Sequence, residues 1–173
     1  VSTISFLVFA SHSNLLWSPQ TECITLNHIL KGVQIVDKLL VLTVVAEVLL
    51  ISIIMVIMGR RRFRAARNKE ISLGAFRTMD LAGANEGVIT ASRNFDNQFQ
   101  MPMLFMFGVV LVLQFQLADV VFVLIGALYV ALRLLHSIVH ITSNHVRRRF
   151  NLFLLSCVVL WAFWIRFVIL LLG

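Results

Sequence analysis

The sequence predicts an all-α integral membrane protein, a four-transmembrane-helix antiparallel bundle. Three observations predict it. Of 173 residues, 60% are hydrophobic and only 13% are charged, where a soluble surface needs roughly 25%. The mean hydropathy is +0.93, and four apolar runs are each long enough to cross a bilayer. The 15 Lys and Arg, against 8 Asp and Glu, leave a net charge of +7, and most of the cations gather in two connections between those runs. In a soluble chain such an excess suggests nucleic acid. Here it reads as membrane topology, and no nucleic-acid partner is expected. The composition excludes a soluble globular enzyme and a disordered chain, and the length allows one domain.

Taken in order, residues 1–30 form an outer-side extension, weakly patterned, with Pro19 and several Ser, Thr and Asn. Residues 4–10 are apolar but too short to span, and no basic stretch precedes them, so no signal peptide is expected. Residues 31–173 form the membrane domain, with helices over about 39–59, 92–117, 120–144 and 151–172. The first run, Leu39 to Gly59, reaches about 30 Å at the α-helical rise, one hydrocarbon thickness. A connection follows with Arg60, Arg61, Arg62, Arg64, Arg67, Lys69 and Arg77, partly offset by Glu70, Asp80 and Glu86. The second run carries Pro102, which interrupts the hydrogen-bond ladder and bends the helix at the membrane edge. Only a residue or two around Asp119, a natural N-cap, separates runs two and three, which forces an antiparallel hairpin. Arg147, Arg148 and Arg149 fill the connection to the fourth run. Two basic loops on one side place that side in the cytoplasm and both termini outside. Trp161, Trp164 and a snorkelling Arg166 suit the outer interface.

Polar side chains at membrane depth need a reason, since exposing a charged one to lipid costs on the order of 2.5–3.5 kcal/mol. On the third helix, Arg133, His136, His140, Asn144 and Arg147 project within an arc of about 80°, and Tyr129 joins it. Arg93, Asn97, Gln100 and Asp96 form a second stripe at the cytoplasmic end of helix two. Two stripes at one depth point to a single polar site open to the cytoplasmic leaflet. Glu47 is the one carboxylate near mid-membrane, and Arg133 is its natural partner in an interhelical ion pair. His136 and His140, four apart, could share a metal, but no third ligand accompanies them on that helix, so none is expected. The basic clusters also suit anionic lipid headgroups. Cys23 and Cys157 sit in unlike surroundings and do not suggest a disulfide framework, and Cys157 reads as an inert apolar residue.

The runs ASRNFDNQFQMPMLF and ALRLLHSIVHITSNHVRRRF, the terminal WAFWIRF and the basic RRRFRAAR after run one resemble the MAPEG family, membrane-associated proteins of eicosanoid and glutathione metabolism. The likeness is greatest to bacterial members and covers roughly Leu30 to Gly173. It implies a homotrimer of four-helix subunits in a bacterial inner membrane, with glutathione bound between subunits near the cytoplasmic side as co-substrate. Carried over by position, Arg93 and Asn97 hold the thiol peptide, and Gln100 stands where Glu is usual. Arg133 matches the first helix-three arginine, and His136 and His140 replace the usual tyrosines. Asn144 completes the stripe, and Arg147 matches the arginine that stabilises the thiolate. The implied activity is a glutathione-dependent transferase or peroxidase acting on lipophilic electrophiles. The alternative is a non-catalytic structural or lipid-binding subunit of a larger membrane complex. Gln100, the two histidines and the extra N-terminal segment motivate it.

Overall fold

The computed structural model describes residues 19–71, 74, 81 and 83–173. The chain divides into two compact units, residues 1–34 and Ile35–Gly173. In the first, only helical backbone from Pro19 onward is described. Most of the expected outer-side extension, and Arg77 and Asp80 of the first basic connection, therefore lie outside the described residues.

Five helices form, and no strand does among the described residues: α1 Pro19–Arg67, α2 Glu86–Gln98, α3 Met101–Gln114, α4 Val120–Ile141 and α5 Val146–Leu172. Together they make four helices long and apolar enough to cross a membrane, with α2 and α3 sharing one of them.

Helix α1 overruns its apolar run at both ends. Its basic last turns stay helical because Lys and Arg complement a helix C-terminus. It stops where Lys69 adopts a positive φ of 60° and the Glu70 amide reaches back to the Ala65 carbonyl at 3.0 Å, a Schellman-type ending. Ala65 and Ile71 are buried there with Val88, which closes a small apolar cap at this basic end.

The expected second helix is broken. Asn85 caps α2 by accepting from the Val88 amide at 3.1 Å. The helix ends at Gln98, and α3 restarts at Met101 with Pro102 in its first turn. Proline has no amide hydrogen to offer the carbonyl one turn back, so the ladder stops just before it. Between α3 and α4, residues 115–119 turn through a positive φ at Gln116, a longer link than the sequence suggests. Asp119 caps α4 as expected, accepting from the Phe122 amide at 2.9 Å.

Helix α4 ends at Ile141, not near residue 144, and α5 starts at Val146. Asn144 lies in the turn with a φ of 45°. Asn is one of the few residues with a side chain that tolerates this conformation. Arg147, Arg148 and Arg149 thus belong to the start of α5 rather than to a loop.

The core of the bundle is aromatic. Phe105 stacks on Tyr129 with ring centroids 4.6 Å apart, and Phe163 meets Phe122 at 4.9 Å and Phe105 at 5.8 Å. Lipid chains are as apolar as these rings, so close packing rather than water exclusion holds such spans together. Two glycines permit the approach. A Cβ at Gly108 would lie 3.0 Å from the Phe163 ring, and one at Gly126 would lie 3.1 Å from the Thr43 hydroxyl. Leu42, Leu49, Phe107, Leu124 and Ile165 point outward, as a lipid-facing surface requires.

Candidate functional site

The polar residues of α2 and α4 do meet, though on a face turned from the one expected. Asn94 and Gln98 are fully buried, while Arg93 and Gln100 are exposed and Asn97 is half-buried. One residue along a helix is a rotation of about 100°, so the Arg93 face points out of the protomer. Toward α4, Gln98 donates to the Asn94 side chain at 3.2 Å and to the Ser137 hydroxyl at 3.0 Å. Ser137 donates in turn to Asn94 at 3.3 Å. Arg133 donates to the Gln98 side-chain oxygen at 3.3 Å and to the Asn97 carbonyl at 3.1 Å. That carbonyl is one of those the break at Pro102 leaves without a helical donor, so a guanidinium from α4 caps the C-terminus of α2. Asn94, Gln98 and Ser137 were missed in the sequence. The three- and four-residue spacing of Val88, Ala91, Asn94 and Gln98 along one helical face is the signal that could have found the two on α2.

The expected ion pair between Glu47 and Arg133 does not close. Both side chains are fully buried, yet neither carboxyl oxygen of Glu47 has a hydrogen-bond partner. No Arg133 nitrogen comes within ion-pair distance of it. The α2 break draws the Arg133 fork toward Asn97 and Gln98 instead.

His136 and His140 are both 2% exposed, with ring centroids 5.6 Å apart. His136 Nδ1 lies 3.1 Å from the Arg149 carbonyl, which can only accept, so Nδ1 carries the proton in the neutral ring. Among the described residues, no three of His, Cys, Asp and Glu converge as a metal site requires.

Asn144 and Arg147 leave the α4 stripe, because the helix has ended before them. The Asn144 amide donates to Glu86 at 2.9 Å, and its oxygen accepts from the Arg149 guanidinium. The run Thr142-Ser143-Asn144-His145 is a turn-former, a signal the helical projection overrode. Arg147 is exposed in the first turn of α5. Arg149, which no stripe singled out, lines a cavity of about 220 Å³ with Asn97, His136, Val146, Phe150 and Phe153. Arg93, Arg133 and Arg149 all lie within electrostatic range of His140. Three arginines at the start of α5 oppose its dipole, whose positive end is there, and His145 supplies no side-chain cap. An uncapped helix N-terminus flanked by guanidinium groups attracts anions.

Two members of the first basic cluster are tied into the fold rather than left to lipid headgroups. Arg61 donates to the Gly87 and Ile141 carbonyls, both at 2.8 Å, and so joins the C-terminus of α1 to the start of α2 and the end of α4. Arg62 donates to Ser92 at 2.9 Å. At the opposite end, Arg166 reaches the link between α3 and α4. It pairs with the Asp119 carboxylate, and its guanidinium lies 5.2 Å from the centre of the Phe122 ring.

No curated protein and no solved structure matches the chain. The MAPEG family model matches residues 40–169, which covers most of each spanning segment, the α2 break and the α4–α5 turn, and the chain belongs to the MAPEG family.

Proposed function

We propose that this protein binds glutathione at the basic end of the bundle and transfers its sulfur to lipophilic electrophiles, or uses it to reduce lipophilic peroxides. The observation that carries the reading is the cluster of arginines around the uncapped start of α5. Arg147 is exposed there, and Arg149 lines the adjoining cavity. Glutathione brings two carboxylates, which planar guanidinium forks match. Arg93, Asn97 and Gln100 hold the peptide from α2, Asn144 holds the turn in place, and Arg147 stands beside the sulfur. Arg133, His136 and His140 support the site from behind, since all three are buried in the protomer.

A free thiol has a pKa near 8.5, so a neighbouring guanidinium raises the thiolate share at neutral pH. In transfer, the sulfur pair forms a bond to the electrophilic carbon and the leaving group departs with its own pair. In peroxide reduction, the sulfur attacks the distal oxygen, the O–O bond breaks and the alkoxide takes a proton. A second thiol then resolves the sulfenic acid to disulfide and water.

The outward Arg93 face supports a site completed by a neighbouring subunit of a homotrimer. The arginine-rich end supports a cytoplasmic position for it, in a bacterial inner membrane with both termini outside. Isothermal titration of the purified protein with glutathione tests the reading. Binding that weakens in both Arg93→Ala and Arg147→Ala is expected. No binding, or binding unchanged in both, eliminates it.

The second reading is a non-catalytic structural or lipid-binding subunit of a larger membrane complex. The burial of His140 favours it, because one position of the ligand-contacting tyrosines is then out of a ligand's reach. Native mass spectrometry after gentle solubilisation separates the two. Stoichiometric foreign subunits support a scaffold, and a bare trimer speaks against one.

A further inference from the structure

One group of buried side chains lies behind the proposed thiol site and makes no contact with a ligand there. Thr43 of α1 sits against Gly126 of α4, where a Cβ would be only 3.1 Å from its hydroxyl. One turn further along α1 comes Glu47, and along α4 come Tyr129 and then Arg133. All three are 0% exposed. Both Glu47 carboxyl oxygens, the Tyr129 hydroxyl, and Nε and Nη1 of Arg133 have no hydrogen-bond partner. The ring of Tyr129 is committed to Phe105, stacked at 4.6 Å, and Nη2 of Arg133 to the Asn97 carbonyl and the Gln98 side chain. The three remaining polar ends lie within electrostatic range of one another, but no hydrogen bond or ion pair joins any two of them.

We infer that Glu47, Tyr129 and Arg133 form an internal hydration site, in which ordered water joins the Glu47 carboxyl to the Arg133 guanidinium across the α1–α4 contact. Water suits the chemistry because it donates to the carboxyl oxygens and accepts from the guanidinium in the same place. A larger anion is repelled by Glu47 and a cation by Arg133. A dry gap leaves two buried ionisable groups uncompensated, which membrane proteins avoid. Glu47 is then a positioning residue. It holds, through water, the arginine that caps the α2 break. Arg133 also backs the proposed thiol site, but the inference does not need glutathione to bind, and its tests do not use it.

A structure of the full chain in lipid nanodiscs, at a resolution that shows ordered solvent, tests it. One or more waters within hydrogen-bond distance of both Glu47 and Arg133 are expected. Direct contact of the two side chains, partners for Glu47 from a neighbouring copy, or a non-water ligand between them overturns the inference. Infrared spectra in D2O give a second readout. The O–D stretch of strongly bonded internal water is expected to disappear in Glu47→Leu and to persist, weakened, in Glu47→Gln. A spectrum unchanged in Glu47→Leu overturns the inference as well.

Discussion

The two ends of the bundle treat their arginines in opposite ways. At the α3–α4 end, Arg166 meets Asp119, and that same carboxylate caps α4. Charge, cap and ring contact are closed within a few side chains. At the basic end, Arg93 and Arg147 stay exposed, and Arg149 sits in a cavity wall. The nearby acid Glu86 is engaged with Asn144. A cation neutralised within its own subunit serves the fold. Cations gathered around a helix N-terminus, against its dipole, stay open to an incoming anion. Arg133 belongs to neither class, since it is buried and spends its contacts on the carbonyl that the α2 break exposes.

That contrast can be broken most severely at Arg133. Arg133→Ala removes the donor to Asn97 and Gln98 and leaves Glu47 as a buried group without its counter-charge. A loss of about 3–6 kcal/mol is expected from two hydrogen bonds to a charged donor, at about 1.5–3 kcal/mol each, and thermal unfolding in detergent measures it. Next come Arg93→Ala and Arg147→Ala. Each removes a charge-assisted contact of about 1.5–3 kcal/mol, so glutathione affinity is expected to fall roughly 10- to 100-fold, while the melting temperature barely moves. A melting temperature that falls with affinity would give these two arginines the structural role of Arg166.

Gly108→Leu probes the packing between those ends. The added side chain meets Phe163 and Trp164, and overpacking of this kind costs about 1–3 kcal/mol. Asp119→Ala removes cap and ion pair together, for about 1–2 kcal/mol. Asp119→Asn keeps the cap and loses only the charge, so its expected cost is about 0–1 kcal/mol. Neither Asp119 variant is expected to change glutathione binding in titration. A change there would mean that the two ends are coupled.

Much of the architecture was legible before any coordinates. Apolar runs of spanning length gave the four spans, the charge distribution marked one basic end, and Asp119 and Pro102 marked a cap and a break. Each of these is a local property. Helix one was read too short because hydropathy marks the apolar part of a helix and not its polar continuation into Arg67. The site was half legible. The projection of Arg133, His136 and His140 onto one buried face holds, because they share an unbroken helix. Asn144 and Arg147 fall on that face only if the helical period runs on past the turn, and Arg93 joins it only if the charged face of α2 meets α4.

The sequence by itself determined the spans, their caps and the family, because hydropathy period, proline and capping act within a few residues. Only the tertiary structure decided that Asn94 and Gln98 turn inward, that Arg133 leaves Glu47 for the α2 break, and that Asp119 claims Arg166. The contacts formed join residues 35 to 47 positions apart. Which donor reaches which acceptor across that distance depends on how each helix rotates to pack its rings and glycines, and no local pattern encodes that rotation.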